Sequence, residues 1–345
     1  MDHLSPDLPS FELRPQLLRL AYRMLGSVAD AEDVVQDAYV RWLGIDRGSV
    51  REPAALLRTI VTRLCLNELK SARRKRESYV GPWLPEPIID MGEPHPLDAI
   101  TLPLMVALER LSPLERAAFL LHDVFGLGFD EVAVAIGREP AACRKLASRA
   151  RNHIQSARPR FPVTKEHGLK LAMAFFEASR NGDMSKLRSL LADDVVAYTD
   201  GGGKVSASPR PLRGITVVMD RHAQLAHDFR TSPSVLVSYA LVDGIPGFVT
   251  IEGNGIIQTT ALQTEQDQIV AIYITRNPDK LRHLEQLARA LKERQAELQG
   301  RCCAPNTGSV TSTHACADQT VLERTNTGES RTCLMAKSIK ARSFG

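Results

Sequence analysis

The side chains best suited to chemistry in this sequence are arginines and lysines that recur at helical spacing near the middle of the chain. A helix predicted from Pro140 to Ile154 has one apolar face. That face comprises Cys143, Leu146, Ala147, Ala150 and Ile154. The residues outside it are Ala141, Arg144, Lys145, Ser148, Arg149 and Asn152. Because guanidinium, ammonium and hydroxyl groups donate hydrogen bonds to phosphates and base edges, this outer face is a candidate for DNA contact.

The elements that must position this face begin at Leu111. Ser112 followed by Glu115 is a capping-box pattern that predicts the start of a helix. The break from Gly126 to Gly128 ends that helix, and Gly137 supplies the turn between a short second helix and the basic one. Two helices joined by a tight turn, the second basic on its outer face, are typical of a helix-turn-helix DNA reader. A helical hairpin whose charges are merely solvated is the alternative.

A second basic group ends a long helix predicted from Pro53 to Arg76. The helix dipole favours cations near a helix end, but this modest effect does not require the four consecutive basic residues found here. Phosphate contact is the functional explanation. The polar residues of interest are Arg63, Asn67, Lys70, Arg73, Arg74 and Arg76.

An acidic amphipathic segment from Asp30 to Leu43 precedes this helix. The residues expected to face the core are Ala31, Val34, Val35, Ala38 and Leu43. The outer face carries Asp30, Glu32, Asp33, Gln36 and Asp37. It is either a solvated helix surface or a docking face for a basic partner.

The composition of the 345 residues is that of an ordinary soluble protein with two or three domains. A net charge of +4 is mild, so the local clustering of basic residues is more informative than the total. The first ten residues lack a basic start and an apolar core, and no apolar run is long enough to span a membrane, so we expect a cytoplasmic protein. Cys65 and Cys143 are expected to pack as small hydrophobic residues.

The last segment, 299–345, is rich in Ser, Thr and Gly and has no apolar periodicity, which predicts a disordered tail. It holds four cysteines and one histidine whose spacing matches no standard ligand pattern: Cys302, Cys303, His314, Cys316 and Cys333. We therefore expect neither a metal nor another cofactor.

The region 163–298 has a different pattern, in which predicted helices come first and strands follow, including Val235–Val242 and Gln268–Thr275. Helices followed by a strand meander predict an α+β domain. Two polar motifs flank the strands, DGGGK at Asp200 to Lys204 and NPDKL at Asn277 to Leu281. A linker rich in Pro and Gly, 77–101, carries a third motif, WLPEP, at Trp83 to Pro87.

The order of these elements resembles that of extracytoplasmic-function sigma factors, which are subunits of bacterial RNA polymerase. The resemblance rests on the acidic helix DAEDVVQDAYVRW, the basic-ended helix, the linker and the basic helix-turn-helix. It implies an all-α sigma-two domain at 8–76 and an all-α sigma-four domain at 102–160. It also implies two partners: the RNA polymerase core, through the clamp helices of the beta-prime subunit and the beta flap, and promoter DNA. The acidic face would contact the clamp helices, and both basic helices would contact DNA.

One departure from the family pattern concerns the basic-ended helix. The family places Asn, Asp and Arg at the positions of Arg63, Asn67 and Lys70 here. The family's recognition of an extruded promoter base therefore does not transfer residue by residue. Arg63 and Asn67 can still donate hydrogen bonds to bases or phosphates.

The three short motifs resemble those of the sigma-J-like subgroup, in which a SnoaL-like (NTF2-like) cone domain is fused to the sigma core. The resemblance covers roughly 11–298 and implies that this domain regulates the sigma core in cis through the motifs. Both strand-flanking motifs are expected at one end of the sheet, facing the sigma core or WLPEP. The motif residues are Trp83, Leu84, Pro85, Glu86, Pro87, Asp200, Gly201, Gly202, Gly203, Lys204, Asn277, Pro278, Asp279, Lys280 and Leu281.

Two alternatives to a sigma factor remain at this stage. SnoaL-like relatives include isomerases and cyclases with a pocket Asp or His, for which Asp200, His222 and His227 are the candidates here. No two acid–base groups are seen to converge on a substrate, so we expect no catalytic residue and favour a pocket that binds a small ligand without reacting. The other alternative is a helix-turn-helix regulator that binds DNA without polymerase.

Overall fold

The first helical domain contains three helices that enclose an apolar core. In a computed structural model the chain is described at 13–46, 48, 50–77, 79–90, 101–154 and 164–285, with the backbone alone at 71–77 and 90. Helix α1 is Leu13–Leu25, α2 is Val28–Leu43 and α3 is Pro53–Glu77. Gly26, at φ 71°, separates α1 from α2, and the Ser27 hydroxyl caps α2 by accepting from the Asp30 amide.

The second helical domain has the helix-turn-helix order expected from the sequence. Helix α4 is Leu102–Leu108, α5 is Pro113–Phe119 with a π-helical extension Leu120–Val124, α6 is Phe129–Ile136 and α7 is Pro140–Ile154. The capping box at Ser112 and Glu115 is formed on both sides. Gly137 ends α6 in the left-handed region at φ 66°, where a Cβ would be strained. These sequence predictions are confirmed.

The two helical domains pack against each other around one hydrophobic cluster. Helix α3 of the first domain lies against α5 and α6 of the second. The buried Arg116 guanidinium on α5 donates to the Met24 carbonyl at the end of α1 (2.8 Å) and to the Leu108 carbonyl at the end of α4 (2.7 Å). Burial lowers the pKa of Arg116 to about 10, so the group stays cationic at neutral pH.

The C-terminal domain is α+β, as the sequence predicts. Its helices are α8 (Lys165–Asn181), α9 (Met184–Leu190) and α10 (Ile215–Thr231). The strands are β1 (Ile89–Asp90), β2 (Leu191–Asp200), β3 (Leu212–Arg213), β4 (Val235–Val242), β5 (Ile245–Ile251), β6 (Ile257–Glu265) and β7 (Gln268–Thr275). Strands β4 and β7 have the predicted bounds. Helical domains followed by an α+β domain are the order that the sequence predicts.

The sheet has the order β1-β4-β5-β6-β7-β2-β3, with β2 parallel to β7 and every other pair antiparallel. Helices α8 and α10 pack on this sheet around Phe175, Val218 and Phe248. The linker contributes the edge strand β1, where Ile89 pairs with Val242. The sequence predicted an extended connector, and part of that connector joins the sheet of the C-terminal domain.

One detail differs from the sequence predictions. Leu43 was expected in the core, but it is 60% exposed while the neighbouring Trp42 is 2% exposed. Trp42 lies four residues after Ala38 on the buried face, so Leu43 is turned about 100° away from it. Asp279, in the NPDKL motif, lies in a 3₁₀ turn, Pro278–Lys280.

Cys65 and Cys143 are buried thiols, as expected. Among the described residues, no helix combines the length and the apolar character that a membrane span requires. The predicted disordered tail, 299–345, lies outside the described residues.

Candidate nucleic-acid interface and interdomain site

The predicted DNA-contact face of α7 is exposed along its length. The residues concerned are Ala141, Arg144, Lys145, Ser148 and Arg149. The guanidinium of Arg144 lies over the Phe129 ring at 5.6 Å from its centroid. This cation–π contact orients the Arg144 side chain. On the opposite side Cys143, Ala147 and Ala150 are fully buried. The apolar face therefore packs α7 against the rest of the domain, while the basic face points to solvent.

The basic helix α3 is only partly available in this arrangement. Arg63 donates from Nη2 to the Val134 carbonyl (2.8 Å) and from Nε to the Ala135 carbonyl (3.3 Å), both near the end of α6. Asn67 and Lys70 are exposed. The side chains of Arg73, Arg74 and Arg76 lie outside the described part of the chain. Arg63 thus bridges the two helical domains, while its neighbours on α3 remain accessible.

The acidic face of α2 is exposed at all five predicted positions: Asp30, Glu32, Asp33, Gln36 and Asp37. Val40 and Leu43, 61% and 60% exposed, extend the same helix surface with apolar side chains. An acidic surface that ends in exposed valine and leucine is suited to a protein partner. The apolar part of this surface was missed because Leu43 was assigned to the core.

The linker motif WLPEP lies at the junction of α1 and α2. The Glu86 carboxylate accepts from the Val28 amide (2.5 Å) and the Ser27 hydroxyl (3.1 Å) at the start of α2. The Glu86 amide donates to the Gly26 carbonyl (2.9 Å). A Cβ on Gly26 would lie 2.5 Å from the Trp83 ring, so the ring packs directly on this glycine. The motif therefore caps the helix that carries the acidic face.

The other side of the linker is held by Asp200, the first residue of DGGGK. Its carboxylate is fully buried and accepts from the Tyr79 hydroxyl (2.6 Å), the Leu84 amide (2.9 Å), the Gly202 amide (3.1 Å) and the Lys280 ammonium (2.8 Å). Each oxygen has two donors, so the buried charge is compensated by hydrogen bonds as well as by a cation.

Lys280, from NPDKL, completes this cluster. Its ammonium also donates to the Leu84 carbonyl and lies over the rings of Trp83 (4.1 Å) and Tyr79 (4.9 Å). Asn277 donates to the Tyr79 hydroxyl (2.8 Å). Burial, together with the Asp200 carboxylate, raises the pKa of Tyr79. The three sequence motifs therefore meet in one place, which we call the Asp200 cluster: Tyr79, Trp83, Leu84, Asp200, Asn277 and Lys280.

The remaining motif residues shape or border the cluster. Gly202 has φ 61°, and a Cβ there would lie 2.3 Å from the Asn277 amide nitrogen. The Lys204 ammonium pairs with Asp279 at 2.5 Å, and this contact is exposed to solvent. The hydrogen bond from Lys204 lowers the pKa of Asp279. Leu281 is buried beside Val249 and Leu284.

A second interdomain contact, at Asp243, was missed by the sequence analysis. Its carboxylate is fully buried in the β4–β5 turn, 2.8 Å from the Tyr22 hydroxyl and 3.9 Å from the Arg23 guanidinium of α1. Its backbone carbonyl accepts from the Leu102 amide at the start of α4 (3.0 Å). Asp243 and Gly244 both have positive φ, 45° and 72°. The Asp-Gly pair between two strands signals a hairpin turn, but nothing local shows that it reaches the helical domains.

A cavity of about 340 Å³ opens between α8, α10 and the sheet. Phe175, Val218, Phe248 and Ile274 form apolar walls, and the polar lining includes Arg180, Arg221, His222 and Arg276. Of the three acid–base candidates, only His222 lines this cavity. Asp200 is held in the Asp200 cluster, and His227 is exposed on α10.

Comparison with known families now gives the class of this protein. Residues 12–75 match Sigma-70 region 2, and residues 101–154 match Sigma-70, region 4. A curated relative, the ECF RNA polymerase sigma factor SigJ of Mycobacterium tuberculosis (strain ATCC 25618 / H37Rv), is 36% identical over 316 residues, which cover 86% of this chain and 98% of the relative. The chain belongs to the extracytoplasmic-function RNA polymerase sigma factors and acts as an alternative sigma factor.

Within that family the similarity is to the SigJ type. The crystal structure of the Mycobacterium tuberculosis extracytoplasmic-function sigma factor SigJ has a TM-score of 0.64 and 33% sequence identity, covering 78% of this chain and 96% of that one. The probable ECF RNA polymerase sigma factor SigI of the same organism (strain H37Rv) is 31% identical over 277 residues, covering 78% of this chain and 92% of the relative. The sigma-J-like resemblance inferred from the sequence is confirmed.

Proposed function

We propose that this sigma factor recruits RNA polymerase core to promoters through three surfaces on its helical domains. The acidic face of α2, extended by Val40 and Leu43, contacts the clamp helices of the beta-prime subunit, while the second helical domain contacts the beta flap. The exposed face of α7 reads the distal promoter element in the major groove. The outer residues of α3 contact DNA at the upstream edge of the transcription bubble. Such a protein acts in the cytoplasm, together with polymerase.

We propose further that the C-terminal domain restrains the two helical domains in cis. The observation that carries this is the linker, which is bonded on one side to the α1–α2 junction through Glu86 and on the other to Asp200. In the same arrangement Arg63 and Arg116 tie the helical domains together. Reading two separated promoter elements requires these domains to move apart, so contacts that keep them packed oppose promoter binding.

The test of cis restraint is transcription in vitro with core polymerase and full-length protein, on templates from a genomic fragment library. Single alanine substitutions at Trp83, Asp200 and Asn277 are expected to change the yield of promoter-specific transcripts severalfold. Arg188→Ala, at an exposed position of α9, is the matched control and leaves the yield unchanged. Yields equal to wild type for all three motif variants would remove the support for cis restraint.

The assignment of DNA contacts is tested separately from restraint. Lys145→Ala and Arg149→Ala are each expected to reduce transcription and to weaken promoter binding by polymerase holoenzyme about tenfold. Arg151→Ala on the same helix is the control, because Arg151 pairs with Asp123 at 2.7 Å instead of facing outward alone. Equal losses for all three variants would indicate a general charge effect.

A polymerase-independent regulator is distinguished by the dependence on core polymerase. We expect promoter-specific DNA binding only when the sigma factor and core polymerase are both present. Reversing the charge on the α2 face, with Asp33→Lys and Asp37→Lys, is expected to abolish co-purification with core polymerase. Specific binding by the chain alone, unaffected by these reversals, would favour the regulator.

A further inference from the structure

The cavity of the C-terminal domain has a polar side that the proposed function leaves unused. Three guanidinium groups line it, those of Arg180, Arg221 and Arg276. Arg221 is on α10, and Arg276 is in the segment that follows β7. An arginine cluster beside the apolar wall of a cavity matches the carboxylate or phosphate group of an amphipathic ligand.

The hydrogen-bonding capacity of these groups is only partly used. Arg180 pairs with Glu252 (2.9 Å), and Arg276 donates from Nη1 to the Ser206 carbonyl (2.9 Å). The Nε atoms of both residues are buried and have no hydrogen-bond partner among the described residues. A buried donor without a partner costs stability, so such an atom in a native fold requires an explanation.

His222 provides a third unused donor or acceptor on the same wall. It is 8% exposed, it lies edge-on to the Phe175 ring, and its Nδ1 has no hydrogen-bond partner within the described part of the chain. Burial and the neighbouring Arg180 and Arg221 lower the pKa of His222 to about 4. The imidazole is therefore neutral at physiological pH and does not add a fourth positive charge.

The carboxylates around the cavity offset this cationic side only in part. Glu252 already accepts from Arg180, from the Thr250 hydroxyl (2.6 Å) and from the Ser234 hydroxyl (2.7 Å). Asp228 lines the cavity from an exposed position on α10. Arg221 donates from Nη1 to the Gln224 side chain at 3.3 Å, which is a weak contact. Arg276 and Arg221 therefore keep donors for an anion.

We propose that this cavity binds a small amphipathic carboxylate, held at its anionic end by Arg276 and Arg221. The apolar body of the ligand packs against the wall to which Phe175 and Phe248 contribute, with His222 offering one further hydrogen bond. A cavity of about 340 Å³ is at the small end of the range for ligand sites, which suits a single aromatic or short aliphatic body. Binding of the ligand gives partners to donors that the fold leaves unused.

The site also touches the Asp200 cluster through Arg276. The Arg276 amide donates to the Asp200 carbonyl (2.8 Å), and its side chain holds the Ser206 carbonyl in the loop that follows DGGGK. The next residues of that loop, Ala207 and Ser208, also line the cavity. A ligand at Arg276 is therefore in contact with the segment that carries the motif.

The test is isothermal titration calorimetry on the full-length protein with benzoate, 4-phenylbutyrate, octanoate and 1-naphthylacetate. Each carboxylate is compared with its neutral amide, and 1-naphthyl phosphate serves as the phosphate arm. At least one carboxylate is expected to bind ten or more times tighter than its amide. Failure of every carboxylate to bind, or equal affinity for acid and amide, would overturn the proposal. Tighter binding of the phosphate than of every carboxylate would overturn the assignment of the ligand class.

The variants separate recognition from folding. Arg276→Gln and Arg221→Gln are each expected to reduce carboxylate affinity at least tenfold while leaving amide affinity unchanged. Arg276→Lys keeps the cation and is expected to retain part of the preference for the carboxylate over its amide. Arg188→Gln, outside the cavity, is the control, and thermal unfolding shows that each variant is folded. If the acid–amide preference survives in the folded Arg276→Gln/Arg221→Gln double variant, the guanidinium groups do not bind the anion.

Discussion

The Asp200 cluster and the polar side of the cavity both contain buried polar side chains. They differ in how many of their polar atoms have hydrogen-bond partners. In the Asp200 cluster a buried carboxylate meets a lysine between aromatic rings, and the carboxylate has four donors. In the cavity Arg180 and His222 also lie beside aromatic rings. Yet Arg180, His222 and Arg276 each retain a buried nitrogen that no described residue bonds. The first arrangement is complete within the chain, whereas the second keeps a donor, Arg276 Nε, that we assign to the proposed ligand.

This difference separates an internal contact from a binding site. A fully bonded polar network loses stability when any member is removed, because its partners are left buried without compensation. Removing Arg221 from the cavity leaves no buried partner without compensation, so it should have little effect on stability and a large effect on ligand affinity. Substitutions in the two places should therefore have opposite signatures.

The largest effect is expected from Lys280→Met in the Asp200 cluster. Removing the ammonium leaves the fully buried Asp200 carboxylate without its cation, which should lower the free energy of unfolding by about 3–5 kcal/mol. The measurement is urea unfolding, together with hydrogen exchange of the Leu84 amide. Lys204→Met is the matched control, because its pair with Asp279 is exposed and should contribute less than about 1 kcal/mol. Equal losses in the two variants would show that burial does not determine how much an ion pair contributes to the free energy of unfolding.

A large pH-dependent effect is expected from His222. Its pKa falls from 6.5 in the unfolded chain to about 4 in the fold, because burial and two arginines disfavour the imidazolium. Between these values the unfolded chain binds more protons, so stability is full above pH 6.5 and is lost as the pH falls towards 4, by about 3 kcal/mol in all. His222→Gln removes this contribution. The difference between wild type and variant, measured by urea unfolding from pH 7 to 4.5, should therefore change with pH, and a constant difference would contradict it.

Much of the helical part could be predicted from the sequence because its signals are local. The capping box at Ser112, the turn at Gly137 and the apolar stripe of α7 each depend on residues within one or two helical turns. The α+β class and the bounds of β4 and β7 followed from patterns of similar range. Leu43 shows the limit of such reasoning, since only packing decides whether it or Trp42 enters the core.

The individual hydrogen bonds between domains could not be predicted, because their partners are far apart in the sequence. Resemblance pointed to the three motifs, but the bonds from Asp200 to Tyr79 and Leu84 span more than a hundred residues. The only local signal at Asp243 is that of a hairpin turn, although the residue contacts Tyr22, Arg23 and Leu102 in the helical domains. The cavity is a similar case, since Arg180, Arg221 and Arg276 come from three separate segments.

Tyr22→Phe extends the comparison to Asp243 with a smaller expected effect. The Tyr22 hydroxyl shares its proton between Asp243 Oδ1 (2.8 Å) and the Glu86 carbonyl (2.7 Å), so its removal should cost about 1–3 kcal/mol. Because both acceptors are interdomain contacts, the variant should also be cut faster by protease in the linker. Tyr39→Phe, at a half-buried position of α2, is the control. A Tyr22→Phe variant as stable and as resistant as wild type would mean that this contact does not hold the domains together.

The smallest effect is expected from Glu86→Gln, at the partly exposed end of the linker contact. The amide can still accept from Val28 or Ser27, but the negative charge at the start of α2 is lost, which should cost about 0.5–1 kcal/mol. The loss should shrink at high salt, because a partly exposed charge is screened, whereas the loss in Lys280→Met should not. Urea unfolding at 0.05 M and 1 M salt measures both dependences. Equal salt dependence of the two losses would mean that salt screens the buried Asp200–Lys280 pair as strongly as the partly exposed Glu86 carboxylate.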